Sequence, residues 1–268
     1  MHILITNDDG IHADGLAILE KIALAISPNA SIYVVAPETD QSGVSHSLSL
    51  NDPLRLRKID ETHYAVKGTP TDCVILGVRH VMKGHPPDLI LSGVNRGQNI
   101  AEDVTYSGTI AAAIEGTTLG IPSIALSQSY MHGGDHNDGH DVVFAVAEAY
   151  GVQVIQAILA AGIEQGIVVN VNFPSCAIAD VQGMVATMQG ARGANLLSID
   201  ERRDGRGNPY FWVGFQRPQF ELHEGTDIHA LRHNQISVTP LKLDLTDKPN
   251  VTRYAQVFEN FAFKGFSQ

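Results

Sequence analysis

Apolar runs of strand length alternate with segments of helical period through roughly the first two-thirds of this 268-residue chain. That alternation restricts the fold more than any other feature. It is the pattern of repeated βαβ units and of a mostly parallel sheet with helices on its faces. His2 to Thr6 reads as a buried strand, Leu16, Leu19, Ile22, Ala23 and Ile26 recur at helical spacing, and Ser31 to Val35 reads as a second strand. Residues 47–67 alternate instead of running, which predicts an antiparallel hairpin beside the sheet. A helix follows from Thr69, whose hydroxyl can cap it, with Pro70 first and Asp72 at the positive end. Asp88 to Ser92 and PSIALS are further buried strands, separated by the glycine- and asparagine-rich loop GVNRGQN and by the small-residue helix IAAAIEGTTLG. A helical pattern over 142–161 and a strand over 167–171 complete an α/β core spanning 1–174.

Beyond Pro174 the periodicity shortens. MVATMQ, PYFWVGFQ and QISVTPLKL are strand-like pieces separated by charged and glycine-rich turns around 200–209. This predicts a β-rich extension over 175–268, part of it returning to the core, with an oligomerising role. The cluster Tyr210, Phe211 and Trp212 needs cover from water, and a second subunit would provide it.

Twenty-nine acidic residues against eighteen basic ones give a formal charge of −11, which argues against a nucleic-acid duplex or an anionic membrane as partner. An acidic protein that handles an anionic substrate needs a metal ion, a helix N-terminus or a few placed cations. Cys73 and Cys176 stand apart, in no metal-ligand or disulfide spacing. MHILITNDDG lacks a leader pattern and no window is apolar enough to span a bilayer, so a cytoplasmic location is expected.

The sharpest chemical signal is Asn7-Asp8-Asp9-Gly10 at the carboxyl end of the first strand, where open α/β sheets place their ligand crevice. Adjacent carboxylates repel, and a divalent cation is the natural way to keep both ionised. Oxygen ligands suit magnesium, manganese or calcium. The bland alternative is an Asx turn that ends the strand and caps the next helix. Two more polar, glycine-rich loops also follow strands, Thr39 to Gly43 and Gly93 to Gly97, and all three could converge, with Ser42 and Asn95 adding neutral oxygens. Ser107-Gly108-Thr109 at a helix start adds hydroxyls and unpaired N–H groups, although such residues often only cap. The stretch 131–140, with His132, His136 and His140, lacks the rigid scaffold of a transition-metal site and reads as a solvated loop. Thr69 and Thr71 read as capping residues.

ILITNDDGIHADG, SGVSHSLSL, GTPTDC, LILSGVNRGQN and TYSGTIAAAIEG, in this order and spacing, closely resemble the survival protein E (SurE) family of nucleotidases. The resemblance spans residues 3–127 and resumes in NVNFP and TDIHALRHNQISVTPL. It implies a Rossmann-like three-layer α/β/α core and a C-terminal β extension exchanged between subunits in a homodimer or homotetramer. It also implies one divalent metal ion per subunit, Mg2+ or Mn2+, held by Asp8, Asp9, Ser42 and Asn95, with Asp8 and Asp9 catalytic. Asn99, Ser107, Gly108 and Thr109 match positions lining the family's phosphate pocket. The implied activity is hydrolysis of nucleoside 5′-monophosphates, with 3′-monophosphates and polyphosphate as further substrates. The chain departs from the family pattern at Arg232-His-Asn-Gln-Ile236 and in the His-rich stretch. Two rivals remain at this point: an aspartyl nucleophile of the haloacid-dehalogenase type, whose aspartates are spaced DxD and not adjacent, and a sensor that binds nucleotide or metal in the same crevice without turnover.

Overall fold

The computed structural model describes residues 1–129, 144–193, 197–215, 222–259 and 261. The first strand, β1 (His2–Thr6), is followed by α1 (Asp14–Ile26) and β2 (Ser31–Pro37), the βαβ unit read from the sequence. A short hairpin, β3 (Arg55–Lys58) and β4 (His63–Lys67), leads to α2 (Pro70–Leu76), which continues through one π-helical turn at Gly77–Val81. Then come β5 (Leu89–Arg96), a 3-10 turn at Ala101–Thr105, α3 (Gly108–Thr118), β6 (Ser123–Gln128), α4 (Ala145–Ala161) and β7 (Ile167–Phe173). The remaining elements are β8 (Met184–Ala186), β9 (Leu197–Arg203), β10 (Pro209–Phe215), α5 (Asp227–Arg232), β11 (Ile236–Lys242) and α6 (Lys248–Phe258).

Nine strands form one sheet in the order β3-β4-β2-β1-β5-β6-β7-β11-β8. Only β3 with β4 and β7 with β11 pair antiparallel; the other contacts are parallel. Successive side chains of a strand point to opposite faces, so each central strand feeds two cores. Ile3 and Ile5 join Leu16, Leu19, Val154 and Ile155 under α1 and α4, whereas Leu4 joins Val35, Val74, Ile90 and Ala112 under α2 and α3. The result is the α/β/α sandwich of a doubly wound fold. Strand order reverses between β1, which neighbours β2, and β5, which neighbours β6. In such sheets ligands bind outside the carboxyl ends of the strands at this reversal.

Close approach of α1 to the sheet has a local cause. A Cβ on Gly15 would lie 2.0 Å from the carbonyl oxygen of Val94, so only glycine lets the first turn of the helix rest on the end of β5. The segment Gly93–Arg96, read from sequence as loop, is the last half of β5, with an irregular register against β6 between Ser92 and Asn95. Residues 47–54 contribute no strand to the hairpin, which is confined to residues 55–67.

After Phe173 the chain adds β11 and β8 to the main sheet and projects a separate ribbon, β9 with β10, paired from Pro209–Arg203 to Phe215–Leu197. β9 occupies part of the stretch read as turns. Alternating charge in LSIDERR hid a strand that buries neither face. α5 and α6 were not anticipated from sequence; both begin at side-chain caps, Thr226 and Asp247. The His-rich stretch 131–140 lies outside the described residues.

Candidate active site

The crevice is built from the turn after β1. Asn7 makes that turn: its Nδ2 donates to the Gly10 carbonyl at 2.9 Å and its Oδ1 accepts the Gly10 N–H at 3.2 Å. α1 begins at Ala13, with no side-chain cap. Neither Asp8 nor Asp9 therefore serves the turn or the helix, and the bland role foreseen for them falls to Asn7.

The two carboxylates meet different surroundings. Asp8 is 3 % exposed and faces the start of α3. Its Oδ1 accepts a short hydrogen bond from the Thr109 hydroxyl. Gly108 leaves room for it, since a Cβ there would lie 2.8 Å from Asp8 Cβ and 3.0 Å from its Oδ2. Burial raises the Asp8 carboxyl from its ordinary 3.8 to about 7, and the adjacent Asp9 charge adds to the rise against the Thr109 hydrogen bond. Asp9 is only partly covered, and its Oδ2 accepts the backbone N–H of Arg96 at 3.0 Å. Burial raises its pKa too, opposed by that N–H and the Arg96 charge.

The structure brings the three polar loops together. Gln41, next to Ser42, donates its N–H to the Asp8 carbonyl at 2.8 Å, and Ser42 N–H is held by Asp40 at 2.7 Å, which leaves the exposed Ser42 hydroxyl at the crevice mouth. Asn95 donates from Nδ2 to the Gly97 carbonyl at 2.8 Å, so its amide oxygen remains as a donor of electron pairs. On the other side Ser107 caps α3, accepting from the Ile110 N–H at 3.1 Å. The N–H groups of Gly108 and Thr109, at the head of an 11-residue helix, carry its positive end. Thr69 is occupied as a capping-box residue with Asp72, as read from sequence, whereas the Thr71 hydroxyl is buried without a hydrogen-bond partner.

Asn99 sits deeper, 7 % exposed. Its N–H donates to Asn172 Oδ1 at 2.8 Å, its Nδ2 to the Ser127 hydroxyl at 2.9 Å, and its carbonyl accepts from Asn170 at 2.8 Å and Asn172 at 3.1 Å. These supporting residues were not singled out from sequence. Asparagines at alternate positions of the apolar run IVVNVNF were the available signal, because buried amides require partners. Among the described residues no three His, Cys, Asp or Glu side chains cluster as a metal site.

Comparison with known proteins agrees with this architecture. The family model described as Survival protein SurE matches residues 3–195. A protein of Methylobacterium nodulans named 5′-nucleotidase SurE is 62 % identical over 258 residues, covering 96 % of this chain and 100 % of that one. Another of the same name from Methylorubrum extorquens is 63 % identical over 96 % of this chain and 99 % of its own length. The crystal structure of the Sure protein from Aquifex aeolicus superposes with a TM-score of 0.80 at 38 % identity, covering 97 % of this chain and 100 % of that chain.

Proposed function

The chain belongs to the survival protein SurE family, and from that premise we propose that it is a 5′-nucleotidase, hydrolysing nucleoside 5′-monophosphates to nucleoside and phosphate. The observation that carries this reading is the meeting of a buried acidic turn, Asp8 and Asp9, with the N-terminus of α3 at the strand-order reversal. A cation held at the acidic turn would thereby adjoin an anion at the helix N-terminus, a pairing suited to metal-assisted hydrolysis of a phosphate monoester.

Asp8, Asp9, Ser42 and Asn95 would hold one divalent cation, magnesium or manganese. The donors fit such an ion: all are oxygens, and Asp8, buried beside a second carboxylate and raised to about 7, would be drawn fully into its ionised form at neutral pH by a compensating charge. When bound, the cation would supply Lewis-acid stabilisation of phosphoryl charge. The chain's own groups supply the rest. The Gly108 N–H at the head of α3, with the Ser107 hydroxyl, would meet phosphoryl oxygens where negative charge gathers. Thr109, whose backbone N–H and hydroxyl both reach the Asp8 carboxylate, would hold that carboxylate beside the pocket, and Asn99 would line it. Asp8 as a covalent nucleophile fits poorly, because the group is 3 % exposed and its Oδ1 is already engaged by Thr109.

The active form in this proposal is a homodimer or homotetramer in the cytoplasm, with the β9–β10 ribbon covered by, or exchanged with, a second copy. Phe211 and Trp212 are 57 % and 61 % exposed in the single chain, and no described helix is long and apolar enough to cross a membrane.

Phosphate release from a panel of 5′- and 3′-nucleoside monophosphates, polyphosphate and an aryl phosphate tests the function. Turnover that favours 5′-monophosphates is expected. Nucleotide binding at micromolar concentration with no phosphate released would instead make this a sensor.

A further inference from the structure

The loop between β5 and α3 joins Asn95, near the end of the strand, and Asn99 to Ser107, Gly108 and Thr109 at the start of the helix. Its middle, Ala101 to Asp103, reaches the crevice only through backbone, the Ser107 N–H donating to the Asp103 carbonyl at 3.0 Å. Ala101 is fully buried and has φ +51°, a left-handed conformation that costs an L residue on the order of 1 kcal/mol and persists only where its surroundings impose it.

Both side-chain hydrogen bonds that hold its backbone come from the chain after Pro174. The Ala101 N–H donates to Asp227 Oδ2 at 2.9 Å, and its carbonyl accepts from Gln189 Nε2 at 2.8 Å. Asp227 is itself completely buried, and its other oxygen takes the N–H groups of Gly190 at 2.9 Å and Ile228 at 2.7 Å. The next two loop residues are held the same way. Arg192 grips the Asp103 carboxylate with both terminal nitrogens, Nη2 to Oδ2 at 2.7 Å, and donates its backbone N–H to the Glu102 carboxylate at 2.9 and 3.0 Å. Arg192 and Asp103 are 11 % and 16 % exposed in their side chains, so this bidentate pair is largely withdrawn from water. Gly190 is required where it stands, since a Cβ would lie 2.7 Å from Asp227 Oδ1.

We infer that Gln189, Arg192 and Asp227 are positioning residues for the phosphate pocket: they lock the Ala101–Asp103 turn and thereby fix Asn99 and the start of α3 relative to Asp8. The inference rests on the nucleotidase reading for its kinetic consequence, though not for the existence of the clamp. Interactions that hold a pre-organised anion site act most strongly on the transition state, where charge on the phosphoryl group is greatest. Loosening the turn lowers kcat more than it raises KM.

The test uses the full chain carrying Arg192→Ala or Gln189→Ala, with Arg192→Lys to separate loss of charge from loss of the planar fork. Asp227→Ala is the more direct change but removes a fully buried acceptor of three N–H groups, so the two milder variants decide. Steady-state kinetics on a 5′-monophosphate and hydrogen exchange of the amides over 97–109 are measured together. Arg192→Ala is expected to lower kcat about tenfold or more with KM within threefold, to accelerate exchange across 97–109, and to be only partly rescued by Lys. Exchange over 97–109 unchanged in both Arg192→Ala and Gln189→Ala, or unchanged kcat beside an active wild type, overturns the inference. Should the wild type release no phosphate, the nucleotidase reading fails by itself, and the exchange pattern still decides whether the clamp orders the loop.

Discussion

Burial of the Asp8 carboxyl makes stability of the metal-free protein depend on pH in a direction that can be worked out. The folded group titrates near 7 and the unfolded one near 3.8, so below about 4 both states hold the proton and nothing is lost. As pH rises from 4 towards 7 only the unfolded chain releases it, and folding loses on the order of 4 kcal/mol by pH 8. Metal-free wild type should therefore melt at falling temperature across that window, Asp8→Asn should do so less steeply because only Asp9, also raised by burial, remains, and the stabilisation by added manganese should grow over the same range. Thermal melts at pH 5, 6, 7 and 8 with chelator or manganese check this. Gly108 makes a second point at this scale. Gly108→Ala pushes a methyl group against Asp8, costs about 1–3 kcal/mol by overpacking, and should reduce kcat/KM on a 5′-monophosphate at least tenfold while far-ultraviolet circular dichroism stays native. The roles of Asn7, Asp8 and Asp9 were partly legible: two adjacent acids after a buried strand announced a site, but which residue of the turn served structure became visible only once Asn7 was seen bonded to Gly10.

Among elements, those that bury a face were the ones the sequence revealed. β1, β2, β6, β7 and α3 sit in the sheet or against it, and their apolar runs or small-residue stripes record that burial. β9 buries little, so its sequence carries no periodic signal strong enough to read, whereas α6 does hold apolar residues at helical spacing, Val251, Tyr254, Val257 and Phe258, which the sequence reading passed over. The end of β5 misled for another reason: Gly93 there lets the strand lie close to β6, where a Cβ would sit 2.2 Å from the Leu126 carbonyl oxygen, so a residue that locally favours loop is overridden by pairing with β6. α2 was readable from its cap. Thr69→Ala removes one half of a capping box and a hydroxyl that also donates to the Ser47 carbonyl at 2.8 Å, and should destabilise the fold by about 1 kcal/mol. Urea denaturation should register this as a lower midpoint at unchanged slope.

At the scale of the whole molecule, the extension exposes apolar surface that the proposed assembly would cover. Ile199, Phe211, Trp212 and Val213 on the ribbon, and Val251, Tyr254, Val257 and Phe258 on α6, are all more than half exposed in one chain. Light scattering on the eluting peak of a size-exclusion column should give at least twice 28.9 kDa, and Trp212→Glu should shift the protein towards monomer. A wild-type monomer at micromolar concentration would leave those side chains in water and contradict the assembly. In the function proposed, the acidic turn, the oxygen-only donor set and the α3 N-terminus form a crevice whose use would require a cation. Phosphate release from a 5′-monophosphate, titrated with manganese for wild type and Asp9→Asn, tests that requirement most directly. Asp9 is partly exposed and uninvolved in the turn, so its replacement leaves the fold intact. Release that rises with manganese in the wild type, vanishes with chelator and falls roughly a hundredfold or more in Asp9→Asn is the predicted result. Equal release with chelator and with manganese, or an Asp9→Asn variant as active as the wild type, would contradict it.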